Sequence, residues 1–277
     1  MNLRRCRLVG AFGAAVCLSS FASDARAYHT PRVHITDNTA YTLHAKQVRV
    51  GLWKVQYGIT DPFMVGTYIA PLVILAPNGH FKWRILETDN FTLSFGAGIL
   101  YADTTWMQWV EDWLGPAQVL AAPAAVVGSY RFDDRFTLSL APEWTLARVE
   151  GSLDEDALEG AGEGAGDNLQ AVANFEWRLG RVVALVLDGR FCFVQKQELG
   201  GDATSNPDDF TQIDASASGD QNYQWNGGWS IGLATVLSWR IFNLRAGVGY
   251  GNFNVPVVNF VKDDKTIIPE FDLYWIW

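Results

Sequence analysis

The chain has few cysteines, a deficit of basic residues and, after its first residues, no long apolar run. Of its 3 cysteines, Cys6 and Cys17 fall in a segment predicted below to be removed, so Cys192 would remain alone and form no internal disulfide. Its 21 Lys and Arg stand against 30 Asp and Glu, a net charge of −9, which excludes nucleic acid as an expected partner. Beyond the N-terminal segment no run approaches the roughly 18 apolar residues that a membrane helix needs.

The N-terminus has the order of parts of a secretory signal peptide. Arginines precede an uncharged, mostly apolar stretch, Leu8–Phe21, and Ala25-Arg26-Ala27 then places small residues at a cleavage site. The sequence therefore predicts that residues 1–27 are a signal peptide and that the protein is exported.

The mature chain is rich in aromatic residues and glycine, with 12 Trp, 16 Phe, 9 Tyr and 26 Gly. Many segments of about ten residues alternate between apolar residues and small or polar ones, which is the period of a β-strand with two different faces. Five of these segments are Phe91–Tyr101, Leu169–Leu179, Val183–Phe193, Trp229–Trp239 and Phe242–Tyr250.

The connections between these strands alternate in length. Short ones carry turn residues, as at Thr88–Asn90 and Gly180–Arg181, whereas Asp103–Gln118, Glu150–Asn168 and Leu199–Gln224 are long. A soluble β-sandwich also alternates, but its strands average five or six residues. Strands of nearly twice that length, with aromatic residues at their ends, instead favour a membrane barrel with two aromatic girdles.

The last strand, FDLYWIW, places Phe271, Leu273, Trp275 and Trp277 on one face. With this strand, the signal peptide and the hairpins, the chain resembles the porin-like outer-membrane β-barrels of Gram-negative bacteria. The resemblance implies an all-β, antiparallel up-and-down transmembrane barrel with short periplasmic turns and long extracellular loops. It also implies an outer-membrane location among lipid and lipopolysaccharide, and a role for the four residues as the signal read by the barrel-assembly machinery.

The number of strands follows from topology. Residues 47–277 are predicted to form the barrel, and they contain eleven segments with strand character, the first of them a single strand that begins at about Gln47. A barrel whose two ends lie on the periplasmic side needs an even number, so residues 28–46 should supply either a first strand or a segment that runs up the lumen. The sequence predicts about twelve strands, with ten as the alternative.

If the large apolar residues face lipid, a set of charged residues faces the lumen. Basic groups outnumber acidic ones in that set, and a narrow pore lined by such groups would attract anions. The alternative is that the arginines pair with carboxylates or lie at the rim. The lumen candidates are Lys82, Arg84, Glu176, Asp188, Arg190, Lys196 and Arg245.

Two long connections have a chemistry of their own. Residues 104–114 have the pattern of an amphipathic helix, and its Trp106, Trp109 and Trp113 would lie against the barrel mouth or fold inward as a lid. Residues 150–168 are acidic and glycine-rich, which is typical of a solvated loop; calcium binding is the alternative.

The sequence contains no catalytic constellation with a consistent context. Gly228-Trp-Ser-Ile-Gly232 matches the nucleophile-elbow pattern, but Ser230 lies within an alternating strand instead of at a strand-to-helix turn. No enzyme, cofactor or metal site is therefore expected. The predicted function is passive diffusion or binding of small solutes, with a closed structural or surface-interaction barrel as the alternative and a lipid-modifying or proteolytic barrel as the third.

Overall fold

The computed structural model describes the backbone of residues 35–106, 111, 116–155, 158–205, 221–225, 227–255 and 260–277. Side chains are described outside residues 151–164, 197–226 and 253–264. The predicted signal peptide, 1–27, lies outside the described residues, as do Trp109 and Trp113 of the predicted lid.

Within these described residues, thirteen strands form one antiparallel sheet. They are β1 (Val48–Gly51), β2 (Lys54–Thr60), β3 (Phe63–Tyr68), β4 (Asn78–Glu87), β5 (Phe91–Asp103), β6 (Ala117–Arg131), β7 (Phe136–Glu155), β8 (Leu158–Arg178), β9 (Val183–Ser205), β10 (Gln221–Trp225), β11 (Trp229–Trp239), β12 (Phe242–Val255) and β13 (Phe260–Ile276). One short helix, α1 (Ile69–Val73), joins β3 to β4, and a 3₁₀ turn, Thr104–Trp106, follows β5. In the part of the chain that the structure describes, no helix is long and apolar enough to cross a membrane.

The sheet closes on itself as a barrel. Strands that follow one another in sequence pair with each other, with the exception of β10 and β11, and β13 pairs with β1 to close the ring. β10 and β11 both lie beside β9, β10 along Gln195–Leu199 and β11 along Val183–Phe191, so they occupy one position in the wall. The barrel therefore has twelve strand positions, and the predicted fold class is confirmed.

One expected strand is in fact a hairpin. The segment that begins at Gln47 was predicted to form a single strand, but β1 ends at Gly51, Leu52 and Trp53 turn the chain, and β2 returns to Thr60. β1 is thus the strand that makes the count even. Residues 35–43 lie inside the barrel and add no strand to the wall.

Two expected loops are largely strand. The ladder between β7 and β8 continues to the pairs Asp154↔Glu159 and Glu155↔Leu158, through most of the acidic segment 150–168. β9 likewise extends to Ser205. Backbone groups that pair with a neighbouring strand need no water, so a hairpin can rise above the membrane whatever charges it carries.

The two faces of the wall differ in chemistry as predicted. Large apolar side chains are exposed on the outer face, among them Trp83, Ile99, Leu140, Leu187, Leu233 and Phe271. Polar side chains are buried on the inner face, among them Ser94, Ser129, Thr137, Gln170, Asn174 and Glu176. At the end of the barrel with the short turns, called the short-turn rim below, aromatic rings pack in pairs such as Phe136–Trp177 and Phe242–Trp275. This arrangement is typical of a membrane barrel with an interfacial girdle.

Candidate functional site

The lumen is occupied by residues 35–43, called the lumen segment, and residues 44–47 lead out of it to β1. Its apolar side chains are buried, and they meet the inner wall in three clusters on the side of the short-turn rim. The clusters are Leu43 with Met64, Tyr274 and Ile276; Ala40 with Val127, Ala141 and Val172; and Ile35 with Ala184, Val186 and Val236. A hydrophobic core thus exists inside the barrel, and in each cluster one residue of the lumen segment packs against three residues of the wall.

Asp37 is the charged centre of the lumen segment. Its carboxylate accepts hydrogen bonds from Arg49 Nη1 at 3.4 Å, from Gln56 Nε2 at 2.9 Å and from Lys54 Nζ. Arg49 is 2% exposed, and its Nη2 donates to Asp272 Oδ2 at 3.0 Å. Because an unpaired charge inside a protein is costly, these contacts hold the segment in one position.

Lys82, a predicted lumen residue, donates hydrogen bonds to the backbone of the lumen segment. Its Nζ donates to the carbonyl oxygen of Asp37 at 2.7 Å and to that of Thr39 at 2.9 Å. Both carbonyls belong to an irregular stretch that does not pair with a strand of the wall. The Lys82 ammonium therefore supplies the hydrogen bonds that a neighbouring strand would otherwise donate. Lys82 therefore anchors the segment to β4.

Glu176, also predicted to face the lumen, meets the segment on the opposite wall. It is fully buried, accepts from Thr36 Oγ1 at 2.9 Å and pairs with Arg178 Nη2 at 3.0 Å. Arg178 also donates to Thr137 Oγ1 at 3.0 Å. The position of Arg178 beside a short turn suggested a rim residue, but it is 2% exposed and faces inward.

Three further predicted lumen residues form a second polar group. Arg245 Nη2 pairs with Asp188 Oδ2 at 2.5 Å and with Glu270 Oε2 at 2.6 Å, and Arg190 Nη1 pairs with Glu143 Oε2 at 3.4 Å. Asn38 of the lumen segment donates to Asp188 Oδ1 at 3.1 Å. This group lies higher in the barrel than the apolar clusters and connects to the same segment.

The described inner network is balanced in charge, where the sequence predicted an excess of base. Six cations and six carboxylates belong to it; five of the cations form ion pairs and Lys82 donates to backbone carbonyls, which corresponds to the alternative that the arginines are paired. The cations are Arg49, Lys54, Lys82, Arg178, Arg190 and Arg245, and the carboxylates are those of Asp37, Glu143, Glu176, Asp188, Glu270 and Asp272. A low-dielectric interior requires such pairing, since lone charges would cost several kcal/mol each, of order 5.

Two predicted lumen residues lie elsewhere. Lys196 is on the outer face, because the register between β8 and β9 shifts by one residue at Phe193 and reverses the alternation after it. Gln195 points inward instead and accepts from Asn168 Nδ2 at 3.0 Å. Arg84 lies near the end of β4 and pairs with Glu87 at 2.8 Å, close to the short-turn rim.

Of the predicted lid, only the first tryptophan belongs to the described residues. Trp106 ends the 3₁₀ turn, is exposed, and lies 5.4 Å from the ring of Tyr101. The acidic segment 150–168 was weighed as a cation site, and most of its side chains lie outside the described ones. Within the described residues no group of three His, Cys, Asp or Glu side chains is placed to hold a metal ion.

Sequence reasoning missed Asp37, Arg49 and Lys54, which form the centre of the site. Arg49 and Lys54 lie on either side of the unrecognised Leu52–Trp53 turn, so their common inward orientation was hidden. Asp37 belongs to an irregular segment for which periodicity gives no signal. Asp272 could have been found, since it alternates with the outward-facing Phe271 and Leu273.

The lumen segment leaves the barrel at a turn fixed against β2. Lys46 N donates to Gly58 O at 2.7 Å, and Gly58 N donates to Gln47 O at 2.9 Å. Nearby, Ala45 N donates to Asp61 Oδ1 at 2.9 Å, which lowers the pKa of the Asp61 carboxyl. The backbone of this turn approaches Gly58 so closely that a Cβ there would collide with the carbonyl group of His44.

The close approach at Gly58 predicts the effect of adding one methyl group. We expect Gly58→Ala to push the turn away from β2, at a cost of about 1–3 kcal/mol typical of overpacking, and to raise the rate at which protease cleaves residues 44–47, because their backbone hydrogen bonds to Gly58 are weakened. Gly79→Ala is the matched control, because the nearest atom to its Cβ would lie 3.8 Å away. Limited proteolysis in lipid vesicles measures both; equal cleavage rates would contradict the assigned contact.

Comparison with known proteins adds solved barrels but no family. No known protein family matches the sequence, and no curated protein matches it. The ferric preacinetobactin receptor BauA of Acinetobacter baumannii aligns at 12% identity and a TM-score of 0.37, over 84% of this chain and 45% of that one. The toluene transporter TodX of Pseudomonas putida aligns at 9% identity and a TM-score of 0.37, over 83% of this chain and 65% of that one.

A third solved structure, the ferric yersiniabactin uptake receptor FyuA of Yersinia pestis, aligns at 12% identity and a TM-score of 0.34 over 80% of this chain and 48% of that one. The chain thus spans between 45% and 65% of the length of these three barrels. The class is decided by the wall itself, which is closed, apolar outside and polar inside. The chain is a membrane-spanning β-barrel.

Proposed function

We propose that this protein is a plugged outer-membrane conduit, exported by its signal peptide, which admits small solutes by passive diffusion when the lumen segment moves. The observation that carries the proposal is the way residues 35–43 close the barrel. They are held by hydrogen bonds and ion pairs to a polar inner wall, as at Lys82 and Glu176. Contacts of this kind are exchanged readily for water, so the closure is reversible.

The polarity of the wall supports a wet open state. When the lumen segment is displaced, Ser94, Ser129, Gln170 and Asn174 face water instead of a dry interior. Such groups lose little by the exchange, because they hydrogen-bond to water as well as to protein. The free energy needed to separate the small apolar clusters around the segment opposes this displacement.

The same displacement changes the charge of the lumen. Asp37 leaves with the segment, and Arg49, Lys54 and Lys82 then lose the partner that the segment supplied. The remaining wall carries more cations than carboxylates. We therefore propose that the open state prefers anions, since a narrow pore focuses the field of its charged lining.

Conductance across planar bilayers tests the proposal. We expect Lys82→Met to raise the fraction of time that the pore is open by at least about tenfold, because each charge-assisted hydrogen bond contributes roughly 1.5–3 kcal/mol. Arg84→Met is the matched control, since Arg84 pairs with Glu87 near the rim and not with the lumen segment. Reversal potentials in a salt gradient report the ion preference.

A closed structural or surface-interaction barrel is the second candidate, and the balanced ion pairing of the lumen favours it. The two functions separate in the same experiment. If neither the wild type nor Lys82→Met passes current while both keep the heat-modifiable gel mobility of a folded barrel, the conduit is wrong and the structural role stands. The proposal includes no catalytic activity.

A further inference from the structure

The barrel wall is low along three neighbouring strands. β1, β2 and β3 contain 4, 7 and 6 residues, whereas their neighbours β13 and β4 contain 17 and 10. A strand needs about 9–11 residues to cross the hydrocarbon core at the usual tilt. At about 3.3 Å per residue, β1 covers only about 13 Å along its axis. The wall therefore ends within the membrane over this sector.

Among the described residues, no strand pairs with the edge of β13 above β1. Odd-numbered residues of β13 point their backbone groups toward β1, as Leu52 N donating to Leu273 O at 3.0 Å shows. At the next such position, the indole Nε1 of Trp53 donates to Phe271 O at 2.6 Å, in place of a backbone partner. The position after that is Pro269, which has no N–H to donate.

These two features distinguish an opening from a docking site for a further strand. An unpaired strand edge in lipid is costly and invites strand addition. Here a side chain already occupies one acceptor, and proline removes a donor that a regular ladder would use. The edge is thus protected against pairing with another chain, including a second copy of this protein.

The rim of this sector is apolar and exposed. The hairpin tip contributes Leu52 and Trp53, the latter 53% exposed. Helix α1 contributes Leu72 and Val73, and β13 contributes Ile267. Ile69 N, at the start of α1, donates to Trp53 O at 2.9 Å, so the helix begins at the height of the hairpin tip. Apolar side chains therefore border the sector below and on both sides.

The inner side of the sector leads to the top of the lumen segment. The uppermost pair of the low wall is Lys54↔Tyr68, and Lys54 contacts Asp37. The Tyr68 ring lies 5.0 Å from the ring of His80 on β4. A molecule that crossed the low wall would therefore arrive directly above the closure.

We propose that this sector is a lateral entrance through which small apolar molecules pass between the lipid phase and the lumen. The assignment of the class follows from the border, since a molecule dissolved among acyl chains meets the apolar side chains of Leu52, Trp53, Leu72, Val73 and Ile267 before it reaches Tyr68. Burial of apolar surface favours such molecules over polar ones, at about 25 cal/mol per Å². The proposal rests on the proposed function in one respect, namely that the lumen above the segment conducts solutes.

Labelling of a cysteine inside the entrance tests the proposal in lipid vesicles. Cys192→Ser removes the single cysteine of the described residues, which is buried, and Tyr68→Cys is added to it. The probes are uncharged monobromobimane, which dissolves in lipid, and its charged trimethylammonio analogue, which stays in water. Gln170→Cys in the same background is the matched control, because Gln170 faces the lumen on β8, away from the low wall.

For each cysteine, the measured quantity is the labelling rate with the uncharged probe divided by the rate with the charged probe. We expect this ratio to be at least about tenfold higher for Tyr68→Cys than for Gln170→Cys, because the uncharged probe reaches position 68 from the acyl chains. Equal preferences at the two cysteines would overturn the proposal. Labelling that rises as the protein is diluted in lipid would also overturn it, since a second copy would then cover the sector. Gel mobility verifies that each variant is folded.

A second variant keeps the test informative if Tyr68→Cys does not fold. Trp53→Ala removes the indole from the lower border without touching the lumen segment, and cysteine at position 267 (Ile267→Cys) reports on the border of β13. We expect rapid reaction of that cysteine with the uncharged probe. Ion conductance does not enter these measurements, so labelling from lipid without any current would retain the entrance and reject the open conduit.

Discussion

Truncation of the chain after Ile276 is expected to prevent most of the protein from reaching the folded, heat-modifiable state. The barrel closes between β1 and β13, and this seam is short, with three register pairs from Arg49↔Ile276 to Gly51↔Tyr274. Trp277 adds a pair of hydrogen bonds, from Val48 N to Trp277 O at 3.1 Å and from Trp277 N to Val48 O at 2.9 Å. Their loss in a lipid environment costs several kcal/mol, of order 5, because water is absent there.

Trp277→Phe is the control for this truncation. It retains both backbone hydrogen bonds and an aromatic ring at the membrane interface, so we expect it to fold almost as well as the wild type. The measurement is the fraction of protein with folded gel mobility after refolding into vesicles. If the truncated chain refolds as completely as Trp277→Phe, closure of the seam does not depend on this residue. The predicted role of Phe271, Leu273, Trp275 and Trp277 in recognition by the assembly machinery needs a separate assay in cells.

Arg178→Met is expected to destabilise the barrel by about 3–5 kcal/mol, the cost of leaving one partner of a buried ion pair alone. Glu176 is fully buried, and its carboxylate is paired with Arg178 and hydrogen-bonded by Thr36. Without Arg178, the carboxylate loses its ion-pair partner and keeps the hydrogen bond from Thr36. Methionine is similar in length, so the change removes charge and hydrogen bonds more than volume. Urea unfolding in vesicles, followed by tryptophan fluorescence, measures the free energy of unfolding.

Two controls separate charge from packing in this experiment. Glu176→Gln combined with Arg178→Met removes both charges, and we expect it to recover most of the lost stability, because no lone charge remains. Arg131→Met removes a partner of the exposed Asp134 and should cost less than about 1 kcal/mol, as usual for surface pairs. A single Arg178→Met variant as stable as Arg131→Met would contradict the buried pairing.

Periodicity predicted the wall well because a strand in a barrel has one lipid face and one inner face at every step. Lys82, Glu176, Asp188, Arg190 and Arg245 all face inward as expected. Periodicity failed where an extra residue or an unrecognised turn interrupted the alternation of inward and outward side chains. An extra residue at Phe193 turned Lys196 outward, and a two-residue turn at Leu52–Trp53 divided an apparently continuous strand.

The sequence by itself determined the class of fold and the two faces of the wall, because those depend on local alternation and on the burial of apolar residues against lipid. Only the tertiary structure decided what fills the barrel and where its wall is low. Asp37 meets Arg49, Lys54 and Lys82 across the lumen, and Trp53 meets Phe271 across a seam between strands far apart in sequence. Such contacts depend on register and on the path of an irregular segment, and neither leaves a period in the sequence.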